Sequence, residues 1–129
     1  MKLSFAYTVK SRKDFKQVVE NIRSKVKERG FRVIMVHDMQ AILLVRHFKI
    51  QPFTILEICH AAHDYEIIKA QPELGLMMPC KILVRMENGQ TLISGMRFSV
   101  LEPYLDNANM ESVFRHIERD IQTIIDESK

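Results

Sequence analysis

Residues 80–98 read CKILVRMENGQTLISGMRF, and this stretch decides the fold. Its centre, Asn88-Gly89, is the strongest hairpin signal in the chain, because both residues tolerate the positive φ of a type I′ turn. Apolar residues are frequent in both arms, as in strands that bury one face. The stretch therefore predicts two antiparallel strands, Cys80–Glu87 and residues 90–98, joined by a two-residue turn.

Three further strand patterns lie upstream of the hairpin. Larger side chains alternate with smaller or polar ones from Leu3 to Val9, which is the period of a half-buried strand. Residues 31–37 are rich in apolar and β-branched side chains. Phe53–Cys59 is a third such run and directly follows Pro52. The chain therefore predicts five strands in all.

Two long amphipathic helices complete the pattern. The first is predicted after Ser11, a candidate N-cap, and ends at Gly30, which takes the left-handed cap conformation freely. The second is predicted from Asn109 to the end of the chain. Shorter helical patterns follow Asp38, where residues 41–45 also suit a strand, and cover residues 60–71. We predict an α+β sandwich, with both long helices on one face of a mainly antiparallel five-stranded sheet.

Composition limits the class of protein. The 129 residues are 47% hydrophobic and include only two cysteines, so we expect one domain, residues 1–129, held by a hydrophobic core rather than by disulfides. The amino-terminal residues lack the long apolar stretch of a secretory signal, and no uncharged run approaches the length of a membrane span. We therefore expect a cytoplasmic protein with reduced cysteines and no membrane partner.

Charge is unevenly distributed along the chain. Residues 1–32 carry a net charge of +7, residues 33–101 are neutral, and residues 102–129 carry −4. The basic first helix and acidic last helix would pair within one chain or between subunits. Aromatic residues are not interleaved with the basic ones, and no nucleic-acid motif accompanies them. The basic segment is therefore interpreted as a solvated helix face, and no nucleic-acid partner is expected.

Four residues near the middle of the chain could bind a metal ion. Cys59 ends a predicted strand, Cys80 begins another, and His60 and His63 lie in the first turn of the helix between them. Thiolate and imidazole are ligands that zinc prefers, and two of each complete a tetrahedral site. If the two strands are neighbours, both thiols lie at one edge of the sheet. The four residues therefore predict a metal site, with zinc as the candidate ion.

A pocket is predicted beside this Cys/His group. Its floor would be the apolar loop before Cys80, with Glu57 on the preceding strand; the residues assigned to it are Glu57, Leu76, Met78 and Pro79. A buried Glu57 would have a raised pKa and could act as an acid or base, although the pattern favours an outward-facing carboxylate on an edge strand. No catalytic residue is assigned.

Other interpretations of the same residues stay open. Both cysteines could be buried structural residues beside ordinary histidines. Cys59 could instead be a reactive thiol whose pKa the helix N-terminus lowers, with Cys80 as its resolving partner in a redox enzyme or sulfur carrier. A third possibility is a structural module that acts through a dimer surface. His47 and His116 have no partner nearby in sequence and are expected to face solvent.

Two segments resemble a known family. Residues 55–60 read ILEICH and residues 72–80 read PELGLMMPC, an apolar strand and a Gly-Leu…Pro-Cys element that resemble domain-of-unknown-function family 302. The resemblance implies a β-α-β(4)-α fold similar to the TATA-binding-protein class, and a homodimer, but no established activity. The chain departs from the family at His60 and Ala61, where Asn-Pro is usual. That departure removes a rigid turn and adds a candidate ligand.

Overall fold

The computed structural model describes residues 4–129; Leu3 of the predicted first strand lies outside them. The bounds of its strands and α-helices, in chain order, are β1 Ala6–Ser11, α1 Phe15–Glu28, β2 Arg32–Asp38, α2 Met39–Leu44, β3 Phe53–Cys59, α3 Ala61–Ala70, β4 Cys80–Glu87, β5 Gln90–Met96 and α4 Ala108–Ser128. Two 3₁₀ helices, Pro72–Met77 and Phe98–Tyr104, precede β4 and follow β5. The segment predicted as an apolar loop before Cys80 is thus largely helical.

The five strands form one sheet in the order β1-β5-β4-β3-β2, and every neighbouring pair is antiparallel. The buried apolar residues of α1 and α4 pack in one core with those of the central strands. The α+β sandwich predicted from the sequence is therefore confirmed. Among the described residues, no helix combines the length and the apolar character needed to cross a membrane.

The β4–β5 hairpin forms where the sequence predicts it. Asn88 and Gly89 have φ values of 51° and 77°, and Glu87 pairs with Gln90 across the turn. The left-handed conformation at both turn positions matches the twist of the two strands. β5 ends at Met96, because Phe98 turns into the core and begins a 3₁₀ helix.

The helix caps differ from the sequence prediction by a few residues. Asp14, not Ser11, caps α1, and its carboxylate accepts a hydrogen bond from the Gln17 amide at 2.8 Å. Ser11 is instead the last residue of β1, paired with Thr91. Similarly, α4 is capped by Asn107, one residue before the helix, rather than by Asn109. In each case the preceding element, β1 before α1 and the 3₁₀ helix before α4, determines the residue at which the helix begins.

The basic helix α1 and the acidic helix α4 lie side by side on the sheet. The Asn21 side-chain amide donates to the Ser128 carbonyl at 3.2 Å, and an Arg29 guanidinium nitrogen lies 3.7 Å from a Glu127 carboxylate oxygen. The opposite charges of the two terminal segments therefore meet within one chain.

Candidate functional site

Three metal-ligating side chains meet where α3 packs against α4. Ligand atoms of His63, His116 and Asp120 all lie within 4.8 Å of one another. Nε2 of His116 is 3.4 Å from Oδ2 of Asp120, and the His63 and His116 ring centroids are 5.1 Å apart. We call these three residues the His63 cluster.

Local helix geometry places each member of the His63 cluster. His116 and Asp120 are four residues apart on α4, so their side chains project from the same face of that helix. His63 lies in the first turn of α3 and reaches the cluster from the neighbouring element. The Asp120 side chain is 16% exposed and the His116 side chain 53%, so the cluster opens to solvent on the His116 side.

His60 contacts His63 through a hydrogen bond and through ring stacking. Its Nδ1 accepts a hydrogen bond from the His63 backbone amide at 3.3 Å, which caps α3. Its ring stacks on the His63 ring with centroids 3.9 Å apart. The His60 ring also packs against the Phe31 ring in a T-shaped arrangement, with centroids 5.1 Å apart. Nε2 of His60 is directed toward Gly30, where an added Cβ would lie 3.4 Å away. His60 therefore positions His63, and its Nδ1 is engaged by the helix.

The environment of His63 favours a neutral imidazole. Burial lowers its pKa from the ordinary value of 6.5, and the neighbouring His60 and His116 rings lower the pKa further, while Asp120 and Glu66 oppose the shift. An imidazole must be neutral to offer a lone pair to a metal ion. The lowered pKa of His63 therefore leaves it ready to act as a ligand near neutral pH.

Both cysteines are free, and a buried carboxylate accompanies them. Cys80 is 3% exposed, and burial together with the charge of Asp64 raises its thiol pKa to about 12. A hydrogen bond with Asp64 is the main cause that raises the Cys59 pKa to about 11. The expected lowering of the Cys59 pKa by the helix N-terminus is therefore wrong, because the adjacent carboxylate disfavours a thiolate more strongly than the helix favours it.

Comparison with known proteins places the chain in a family. Residues 7–128 match the family described as Domain of unknown function DUF302. The chain belongs to the DUF302 family. The resemblance of residues 55–60 and 72–80 is thereby confirmed, while the likeness to the TATA-binding-protein class stays an expectation.

A solved structure shows the same DUF302 fold. The crystal structure of an uncharacterized conserved DUF302 protein from Bacillus stearothermophilus is similar to this chain with a TM-score of 0.91. The two sequences are 23% identical, and the match covers 98% of this chain and 100% of that one. No curated protein matches the chain in sequence. The comparisons therefore establish fold and family, and the activity has to be argued from the side chains of this DUF302 domain.

The four predicted metal ligands divide between two groups. Cys59 and Cys80 lie around Asp64, as the effects of its charge on both thiols show. His63 lies instead with His116 and Asp120, and among residues 4–129 it is the only predicted ligand in that cluster. A zinc site made of Cys59, His60, His63 and Cys80 stays a prediction, and the geometry favours a different set of ligands.

The four predicted pocket residues also separate. Leu76 and Pro79 line a depression on the sheet face opposite α1 and α4, together with Cys80. Met78 packs against the hydrophobic core. The Glu57 carboxylate lies 3.5 Å from Nε2 of His37 on the neighbouring strand. The apolar segment before β4 thus contributes to a pocket, but only two of the four residues line it.

Sequence reasoning missed His116 and Asp120. His116 is exposed, as expected, but it does have partners, because its ring contacts His63 and its Nε2 lies beside Asp120. The spacing of four residues on a predicted helix already places an imidazole and a carboxylate on one face, so a paired signal was present in the sequence. What the sequence did not contain was the packing of α3 against that part of α4.

Proposed function

We propose that this DUF302 domain binds a divalent transition-metal ion, zinc first among them, at the His63 cluster. The observation that carries the proposal is the convergence of three ligand atoms from two helices within 4.8 Å. Two imidazoles and one carboxylate form a donor set that zinc and iron(II) both accept in proteins. The proposal keeps His63 and zinc from the sequence prediction. His116 and Asp120 take the place of the other three predicted ligands.

Distances within the cluster support this donor set. Ligand atoms about 2.0–2.1 Å from a tetrahedral zinc ion lie about 3.3–3.5 Å from each other. Nε2 of His116 and Oδ2 of Asp120 are already 3.4 Å apart, which is one edge of such a tetrahedron. A ring nitrogen of His63 lies within 4.8 Å of both atoms, so the other two edges are longer than in a bound site by no more than about 1.5 Å. We expect side-chain movement of His63 to close these two edges when the ion binds.

The cluster also leaves room for an external ligand. Three protein ligands leave at least one position of a tetrahedral ion open, as in zinc sites that bind water or a small molecule. The His116 side is half exposed, so this position would face solvent. A small-ligand role for the protein would then act through the bound ion.

The thiol alternative has less support. A thiolate is the nucleophile in redox exchange and sulfur transfer, and the raised pKa values of Cys59 and Cys80 keep both residues protonated near neutral pH. Cys80 is also buried, which restricts the approach of a substrate. A thiol-dependent enzyme or sulfur carrier therefore stays a prediction from the sequence, as does the homodimer that the family resemblance implies.

Isothermal titration of the metal-free, tag-free protein with Zn²⁺ tests the proposal. We expect one ion per chain for the wild type and at least about a tenfold loss of affinity for His63→Ala and His116→Ala, because each change removes a ligand. His37→Ala, which removes a histidine from β2, serves as the matched control and should bind like the wild type. The variant Cys59→Ser with Cys80→Ser should also bind normally.

Two results would contradict the proposal. One is the absence of stoichiometric zinc binding by the wild type. The other is loss of binding in the double cysteine variant with retention in His116→Ala, which would restore the Cys/His set that the sequence predicts. Circular dichroism of each variant confirms that the change acts on the ligands and not on the fold.

A further inference from the structure

A cavity of about 510 Å³ lies between α1 and the strands β2 and β3. Its size falls within the range of pockets that hold small organic molecules. Its surface is mainly apolar, and the apolar side chains that line it are those of Phe15, Val19, Val36, Pro52 and Phe53. We call it the α1–β2 cavity.

Thr54 and Asp38 lie side by side in the wall of the α1–β2 cavity. Thr54 pairs directly with Asp38 on β2 and with Val84 on β4. Directly paired residues project from the same side of a sheet, with Cβ atoms about 5 Å apart. Val84 is completely buried in the core that the helices cover. Thr54 and Asp38 therefore both project toward the helix layer, where they line the cavity.

The Thr54 hydroxyl is unpartnered, although the residue is only 7% exposed. The other buried serine and threonine side chains each have a hydrogen-bond partner, and they are those of Ser11, Thr91, Ser94 and Ser128. Every fully enclosed side-chain oxygen or nitrogen among residues 4–129 has a partner as well. The Thr54 hydroxyl, which has none within that range, is therefore not enclosed, and the space it reaches is the cavity. A ligand in the cavity would supply the missing hydrogen bond.

The polar groups beside Thr54 offer acceptor atoms to the cavity. One carboxylate oxygen of Asp38 accepts a hydrogen bond from the Ala41 amide at 3.0 Å, which caps α2 and holds the carboxylate in place. Gln40 donates through Nε2 to the Ile50 carbonyl at 3.1 Å, so the side-chain oxygen is the atom of Gln40 that remains to bind a ligand. An ionised carboxylate can only accept hydrogen bonds. A ligand at this wall must therefore be a hydrogen-bond donor.

The charges around the cavity favour a cation. Lys16 and Glu20 line it from successive turns of α1 and contribute one charge of each sign, so Asp38 makes the balance negative. Glu20 also lies 3.7 Å from Arg23, but this pair is exposed and such pairs interact weakly. Among residues 4–129 no cation lies within ion-pair distance of Asp38. The cross-strand neighbour of Asp38 is the uncharged Thr54, so no paired residue neutralises the carboxylate.

We propose that the α1–β2 cavity binds a small primary amine with an apolar body, such as an arylalkylamine. Its ammonium would donate to the Asp38 carboxylate and to the Thr54 hydroxyl, and its body would lie against Phe15, Val19 and Val36. An ammonium group has three donors and no acceptor, which matches a wall of acceptor atoms. The site is separate from the His63 cluster and does not depend on metal binding.

Titration calorimetry with phenethylamine tests this site, with phenethyl alcohol as the uncharged probe and hydrocinnamate as the anionic probe. We expect one phenethylamine per chain, weaker binding of the alcohol and no measurable binding of hydrocinnamate. Asp38→Asn should lower the affinity for phenethylamine about tenfold, the size of one charge-assisted hydrogen bond. Asparagine caps helices as well as aspartate does, so α2 should persist in this variant.

Thr54→Val separates ligand binding from a structural role of the hydroxyl. Because the hydroxyl has no partner within residues 4–129, its removal should not lower the urea midpoint of unfolding, whereas the affinity for phenethylamine should fall about fivefold. Thr91→Val is the matched control. Thr91 is also buried, its hydroxyl donates to Sδ of Met86, and it does not line the cavity, so this variant should bind phenethylamine like the wild type.

Three outcomes would overturn the proposal. One is failure of the wild type to bind phenethylamine, and another is binding of hydrocinnamate with equal affinity. The third is a Thr54→Val variant that is less stable than the wild type but binds phenethylamine equally well, which would assign the hydroxyl to the fold.

Discussion

Asp64 raises the pKa of both cysteines, as the main cause for Cys59 and second to burial for Cys80. This carboxylate is 8% exposed, forms a hydrogen bond with the Cys59 thiol, and acts by its charge on Cys80 as well. A negative charge on either sulfur would lie close to a carboxylate in a poorly hydrated place, so the thiols stay protonated. A neighbouring carboxylate is therefore the main reason that Cys59 is unsuited to thiolate chemistry, whereas for Cys80 the main reason is burial.

Replacing Asp64 by Asn should lower the pKa of Cys59. The amide has a similar shape but no charge, so the midpoint of the Cys59 pH–alkylation profile should fall from about 11 toward the ordinary value of 9.0. The thiolate fraction at neutral pH rises about tenfold for each unit by which the pKa falls. The measurement is the iodoacetamide rate against pH in a Cys80→Ser background, so that only Cys59 reports.

Glu66→Gln on the same helix is the control for this experiment. Glu66 is exposed and is not among the groups that shift the Cys59 pKa, so its removal should leave the profile unchanged. An Asp64→Asn profile that coincides with that of the parent protein would show that Asp64 does not control the thiol.

At the scale of elements, the close approach of α4 to β5 sets the thickness of the core. Gly95 of β5 faces α4, and a Cβ at that position would lie 2.6 Å from Cγ2 of Ile121 and 2.8 Å from Cδ1 of Ile125. Both isoleucines are completely buried, so neither can move away without disturbing the core. A strand residue without a side chain is therefore required where the helix crosses it.

Gly95→Ala should destabilise the protein by about 1–3 kcal/mol, the usual cost of forcing an extra carbon into a well-packed core. Gly75→Ala is the matched control, because an added Cβ there meets no atom within 4 Å and the backbone is not left-handed. Urea unfolding of both variants gives the comparison. Equal midpoints for the two variants would contradict the packing of α4 on β5.

The elements differ in how far the sequence alone could predict them. The hairpin and β3 were predicted at or within two residues of their observed bounds, because Asn88-Gly89 and Pro52 are local signals. The caps of α1 and α4 were misplaced, since several residues with suitable side chains lie close together and the sheet decides between them. Local signals such as turn and proline residues thus predict which elements form, whereas packing determines the residues at which they begin and end.

The candidate site shows the same limit more strongly. His63 was identified from sequence, and His116 and Asp120 carried a recognisable helical spacing. The sequence could not reveal that α3 packs on this turn of α4, nor that Asp64, a charged residue on a helix, is buried beside two thiols. Both facts depend on contacts between segments distant in the chain.

At the scale of the whole molecule, the His63 cluster and the depression lined by Leu76 and Pro79 lie in different layers. The His63 cluster lies between α3 and α4, whereas the depression lies on the sheet face opposite α1 and α4. The basic and acidic terminal segments lie side by side in α1 and α4, where Arg29 is 3.7 Å from Glu127.

The central claim is that His63, His116 and Asp120 hold a metal ion, and anomalous diffraction tests it most directly. Crystals grown with Zn²⁺ and measured at the zinc absorption edge should show one strong anomalous peak at the junction of α3 and α4. The account predicts a peak about 2.0–2.2 Å from ligand atoms of all three residues. A peak beside Cys59 and Cys80, or no peak at the His63 cluster, would contradict it.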